Sequence, residues 1–152
     1  MRLVLQRTSG VEVWIDGQCH SRTGPGLLVL FGTCRGDSED SCRVLANKTV
    51  NLRIFEDEAG KMNRSALDIG AEIMVVSQFT LYADTRKGRR PAFTEAMEPI
   101  EAERLYKQYV AAVASEGLVT QTGVFGAVME VRFSNQGPVT IILEHTSEQD
   151  AS

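Results

Sequence analysis

Cysteine and histidine are scarce in this sequence, and neither falls into a metal-binding or catalytic pattern. The three cysteines, Cys19, Cys34 and Cys42, are odd in number and form no CxxC pair. They fit neither a disulfide framework nor a zinc knuckle, so a reduced, cytoplasmic chain with no metal and no other cofactor is expected. The two histidines, His20 and His145, lack the flanking carboxylates of a triad, and no HExxH or calcium-loop motif is present. Both read as surface side chains. The longest apolar run, Leu27 to Phe31, is far too short to cross a bilayer. Charge interrupts the N-terminal apolar run within its first seven residues, unlike a signal peptide. Membrane insertion and secretion are set aside. A basic excess is also missing, since 16 Lys and Arg face 20 Asp and Glu for a formal net charge of -4. At first sight this argues against a nucleic-acid partner.

What is present is the composition of one soluble globular domain, with 152 residues, 43% of them hydrophobic and 24% charged. A chain of this size buries roughly 70% of its unfolded surface, enough for a core without staples. The domain is expected over residues 1–145, followed by a polar, frayed tail at 146–152.

Period-two alternation over Leu3–Arg7 and again over Val11–Ile15, then Asp16-Gly17 and Gln18–Ser21, predicts antiparallel strands with a tight hairpin. Leu27–Phe31 predicts a strand buried on both faces. Asp37 or Ser38 is the expected cap of a helix carrying Leu45, Thr49 and Leu52 on one stripe and ending near Arg53. Glu56–Lys61 reads as a solvated turn and Ile73–Leu81 as a central strand. Pro99 opens a second helix whose Ala102, Leu105, Tyr106, Tyr109, Val110 and Val113 keep helical spacing up to Gly117. Leu118–Thr122, Val128–Phe133 and Val139–Leu143 read as further strands. The class is α+β, with two main helices on an antiparallel or mixed sheet.

Three segments stand out. Arg86-Lys87-Gly88-Arg89-Arg90 holds four of the 16 basic residues, leaving 12 against 20 acids, so the loop carries +4 and the remainder -8. Such a patch is either a solvated loop or a phosphate clamp. Ser77-Gln78-Phe79-Thr80-Leu81 puts polar side chains into an apolar strand, where each needs a partner if buried. Asn135-Gln136-Gly137-Pro138-Val139-Thr140 has the composition of a hairpin turn.

Taken together and in order, these segments resemble the D-aminoacyl-tRNA deacylase family, also called D-tyrosyl-tRNA deacylase. The likeness runs from Met1 to about Leu143. It rests on Gln6-Arg7, Asn51–Phe55, Gly60–Asn63, the block Val75–Pro91 containing SQxxL at Ser77–Leu81, and NxGPxT at Asn135–Thr140. Where the family reads Gly-Arg-Phe-Gly-Ala-Asp-Met, this chain has Gly123-Val124-Phe125-Gly126-Ala127-Val128-Met129, a loss that is nearly neutral if the valines pack and otherwise alters the rim of the pocket or the contact with RNA.

The resemblance implies a barrel-like sheet, a homodimer with sites at the subunit interface, and hydrolysis of the ester between a D-amino acid and the tRNA 3′ end. Gly137-Pro138 is then a cis peptide whose paired carbonyls enter the other subunit's pocket, accept from the substrate ammonium and exclude an L side chain. Glycyl-tRNA, with only hydrogen there, is expected to pass. Arg7, Asn135 and Thr140 support that turn. Ser77, Gln78, Phe79 and Thr80 line the ester, with N–H groups near Phe79 and Thr80 as oxyanion donors. Met129 and Phe133 hold the terminal adenine, and Arg86, Lys87, Arg89 and Arg90 grip phosphate. Thr80 lacks a base, so the ribose 2′-hydroxyl is favoured as the assisting group. The competing readings are a generic Ser/Thr ester hydrolase and a non-catalytic RNA-binding dimer.

Overall fold

The computed structural model describes residues 1–147, so most of the tail read at 146–152 lies outside the described residues. Its long first strand, β1 (Arg2–Ile15), organises the sheet. β8 (Glu130–Glu144) runs antiparallel along one edge of β1 for nearly its whole length. On the other edge β3 (Gly26–Gly32) pairs with Arg2–Thr8 and β2 (Gln18–Thr23) with Val11–Ile15, both antiparallel. The two alternating runs therefore belong to one strand and not to two, because the register shift between Thr8 and Val11 bends the strand without reversing it. β6 (Glu72–Ser77) and then β7 (Thr120–Thr122) extend the sheet in parallel from β3, which makes it mixed. The sheet curls until the Ser21 hydroxyl of β2 donates to the Thr122 carbonyl of β7 at 2.7 Å. The result is a nearly closed barrel.

Leu27–Phe31 is buried as its composition predicts except at the half-buried Leu30, because alternate residues serve two different cores. Leu27, Val29 and Phe31 face α1 (Glu39–Asn51) and α3 (Pro99–Ala114), which pack on the outer wall, whereas Leu28 joins Val11, Val13, Met74 and Val76 on the opposite face. Leu45, Ala46, Thr49 and Val50 form the buried stripe of α1, and the Thr49 hydroxyl meets the Tyr109 hydroxyl of α3 at 2.8 Å. Ser38 occupies the cap position of α1 without a side-chain cap bond; Asp37 instead accepts from the Cys34 N–H at 2.8 Å. A third, one-turn helix, α2 (Ala66–Ile69), follows the small hairpin of β4 (Phe55–Glu56) and β5 (Met62–Arg64), whose tip is the solvated turn. No helix among the described residues is long and apolar enough to cross a membrane.

Two departures from the sequence reading shape the site. The strand expected to run to Leu81 stops at Ser77, and Phe79–Tyr82 form a 3-10 turn. Gly32 permits this, since a Cβ there would lie 3.0 Å from Leu81 Cβ and 3.2 Å from the Gln78 carbonyl. Asn135–Thr140, in turn, is no hairpin. Thr8 pairs with Asn135 and Gln6 with Thr140, so Gln136–Val139 bulge out of a continuous β8 opposite Arg7 alone.

Candidate active site

A cavity of about 450 Å³ opens between the end of β6, the start of α3 and the loop before β8. Ser77, Gln78 and Phe79 form one wall, Met97, Pro99 and Ala102 another, and Phe125–Ala127 with Met129 a third. Val76, Met129 and Val131 also belong to the second core, so the floor of the cavity is barrel interior. None of the residues lining it carries an ionisable side chain.

The 3-10 turn supplies the polar groups. Its first N–H groups, those of Phe79 and Thr80, have no acceptor inside the turn. The turn is fixed at its entry by the Gln78 N–H, which donates to the Phe31 carbonyl at 2.7 Å. Phe79 is exposed and packs edge-on against Phe93, with ring centroids 5.0 Å apart. Thr80 does not line the cavity, and its hydroxyl accepts from the Gln78 side-chain amide. An amide NH2 is a donor only, so nothing here draws a proton from that hydroxyl.

Phe125 lines the cavity and had no role in the sequence reading. It packs against Tyr106, whose phenol is pushed up in pKa by burial and donates to the Val75 carbonyl at 2.7 Å. The available signal was an aromatic residue between glycines in a short loop, Gly123 to Gly126. Pro99 and Ala102 read only as parts of the second helix, and Met97 carries no signal in the sequence.

The protruding motif is braced as its polar residues suggest. Arg7 Nε donates to the Gln136 carbonyl at 3.0 Å and Nη1 to the Ile54 carbonyl at 2.9 Å. Asn135 closes the neck: its Oδ1 accepts from the Val139 N–H at 2.7 Å and its Nδ2 donates to Thr140 Oγ1 at 3.0 Å. The Gly137-Pro138 peptide is cis, and both residues are exposed. Neither lines the cavity of its own chain.

Phe133 lies apart from the cavity, in a groove with Ser9, Arg22 and Arg132, because its position on β8 faces the bend of β1. Arg86, which is exposed, forks onto Asp84 at 2.9 and 2.8 Å, which lowers the Asp84 carboxyl to about 2. Lys87, Arg89 and Arg90 remain exposed. Val124 and Val128 do not pack in place of a charge pair; Val128 is 93% exposed beside the cavity mouth.

The same curled sheet with helices on its outer wall recurs in solved structures. A probable eukaryotic D-amino acid tRNA deacylase matches with a TM-score of 0.82 and 18% identity over 93% of this chain and 97% of that one. A c-Myc DNA unwinding element binding protein matches with a TM-score of 0.90 and 38% identity over 97% of this chain and all of the other. The fold thus places the protein in a class of nearly closed barrels with helices on the outer wall. The family model described as D-Tyr-tRNA(Tyr) deacylase matches residues 4–144. Over 144 residues, 95% of this chain, D-aminoacyl-tRNA deacylases of Carboxydothermus hydrogenoformans and Ruegeria pomeroyi are 51% and 53% identical, each covered over 99% of its length. The chain belongs to the D-Tyr-tRNA(Tyr) deacylase family.

Proposed function

We propose that the protein hydrolyses the ester joining a D-amino acid to the 3′-terminal ribose of tRNA, releasing both, and that a second copy of the chain completes each site. The observation that carries this reading is the separation of the two motifs. The cavity holds Ser77, Gln78 and Phe79, whereas Gly137 and Pro138 project away on an exposed bulge. A second copy is the natural recipient, since Leu30, Val4 and Ile142 lie in one cross-strand row beside the motif and Ile142 is 62% exposed. Burying such a row offsets the cost of association.

In that arrangement the Gly137 and Pro138 carbonyls receive the substrate ammonium and occupy the place of an L side chain. Arg7, Asn135 and Thr140 hold them there. The terminal adenosine occupies the apolar cavity between Phe125, Met129 and Met97. Water adds to the ester carbonyl, the Phe79 and Thr80 N–H groups stabilise the oxyanion, and the 3′-oxygen leaves as a hydroxyl. With no ionisable group lining the cavity, the vicinal 2′-hydroxyl of the ribose assists the water. The cytoplasm, where aminoacyl-tRNA is consumed, is the expected location.

Purified protein should release D-tyrosine and glycine from their tRNAs and leave L-tyrosyl-tRNA intact. Equal release of D- and L-tyrosine overturns the chiral filter. Release of none leaves the non-catalytic RNA-binding reading.

Phosphate grip is assigned to Lys87, Arg89 and Arg90, which are free of the Asp84 pairing that occupies Arg86. Reversing all three to Glu should weaken tRNA binding about tenfold at moderate salt and flatten the plot of log affinity against log salt by about two units. Unchanged affinity with an unchanged slope removes the loop from the interface.

A further inference from the structure

We infer that Arg2 is a positioning residue for the reaction, holding the 3-10 turn that carries the oxyanion donors and tying it to the strand that carries Gly137-Pro138. This inference rests on the functional reading above and deepens it.

Arg2 opens β1 and does not line the cavity; it lies in a separate small cleft behind the turn, with Tyr82, Ala83 and Asp84. Its Nη1 donates to the Leu81 carbonyl at 2.7 Å, and the guanidinium lies 4.9 Å from the centroid of the Tyr82 ring. A cation at this end of the turn also meets the negative end of its peptide dipoles. Its Nε donates to Glu144 Oε1 at 2.6 Å, and Glu144 is the cross-strand partner of Arg2 on β8. The planar guanidinium therefore fixes two directions at once, which an ammonium does not. The Gln78 N–H anchors the entry of the turn on Phe31 and Arg2 anchors its exit, with Phe79 and Thr80 held between. Releasing the exit lets the two N–H groups tilt away from the developing oxyanion while Phe125, Met129 and Met97, which flank the adenosine, stay in place.

The test compares full-length wild type with Arg2→Met, which keeps an unbranched stem as far as the Nε position and removes the donors, and with Arg2→Lys. Arg2→Met should lower kcat on D-tyrosyl-tRNA about tenfold with KM changed less than about twofold, since the lost contact is a charge-assisted hydrogen bond serving the transition state. Arg2→Lys should recover part of kcat by keeping one donor to Leu81. Amide exchange at Leu81 and Tyr82 should quicken in Arg2→Met while α3 is unchanged. An unaltered kcat in Arg2→Met overturns the inference, as does a fall in kcat with no change in exchange at the turn. If Arg2→Met does not fold, Arg2→Lys and Glu144→Gln decide: intermediate kcat with quickened exchange supports the role, and wild-type values in both overturn it. Wild-type protein inactive on every aminoacyl-tRNA defeats the functional reading, and the exchange comparison still reports whether Arg2 holds the turn.

Discussion

Gly137→Ala is expected to reduce D-tyrosyl-tRNA hydrolysis about 100-fold or more while leaving the fold intact. Gly137 has φ near +128°, a region that L side chains rarely adopt, and a Cβ there would lie 2.9 Å from Val139 Cγ2 and 3.0 Å from Arg7 Nη2. The backbone strain alone is on the order of 1–3 kcal/mol. Arg7 cannot retreat freely, since the same guanidinium is committed to the Gln136 and Ile54 carbonyls. The bulge must therefore shift, and a displacement of about 1 Å in a positioning group is enough for a loss of that size. Gln136, Gly137 and Pro138 are exposed and outside both cores, and only Val139 of the bulge reaches the core, so the melting temperature should fall by no more than about 10 °C. Single-turnover release with D-tyrosyl-tRNA, alongside circular dichroism melting, checks both parts. Full activity in a folded Gly137→Ala variant removes the motif from the mechanism.

Replacing the terminal ribose 2′-hydroxyl of the substrate by hydrogen should slow hydrolysis about 100-fold, within the usual range for losing general acid–base assistance. Thr80→Val should cost less than about tenfold. Both expectations follow from the wall of the cavity. None of its residues titrates, so the Ser77 hydroxyl in its wall has no base beside it there, and the Thr80 hydroxyl next to it accepts from the Gln78 amide. A threonine in that state is a weak nucleophile. The comparison is made on D-tyrosyl-tRNA with and without the 2′-hydroxyl, with tRNA binding measured in parallel. If Thr80→Val abolishes turnover with binding intact and the 2′-deoxy substrate still reacts, the assisting group is the threonine.

Local pattern gave much of the frame. The five apolar residues Leu27–Phe31 and the helical spacing from Pro99 to Val113 carry signals strong enough to survive any tertiary context. The misreadings share a different origin. Phe79–Leu81 has the composition of a strand, and it leaves the sheet because Gly32 lets the chain close on β3 some 50 residues earlier in sequence. Asn135–Thr140 has the composition of a hairpin turn, and it stays within one strand because both of its flanks find the same partner, β1, at the far end of the sequence. Neither partner can be read from the segment itself. The site motifs were visible only through resemblance, which does not say how each side chain is engaged. Arg86 lies two residues from Asp84, but only the local turn brings the carboxylate into fork geometry. The face on which Phe133 emerges depends on the register of β8 against the bend in β1.

That register also limits what the bulge can become. Four residues of β8, Gln136–Val139, stand against Arg7, and from the last of them onward Val139, Ile141 and Leu143 point into the helix-covered core while Ile142 points out. Side chains alternate with a period of two, so adding or removing a single residue in the bulge would send one set to the other face unless the distortion were absorbed within the loop itself. The loop can therefore change its chemistry one side chain at a time, whereas its length is policed by the core behind it.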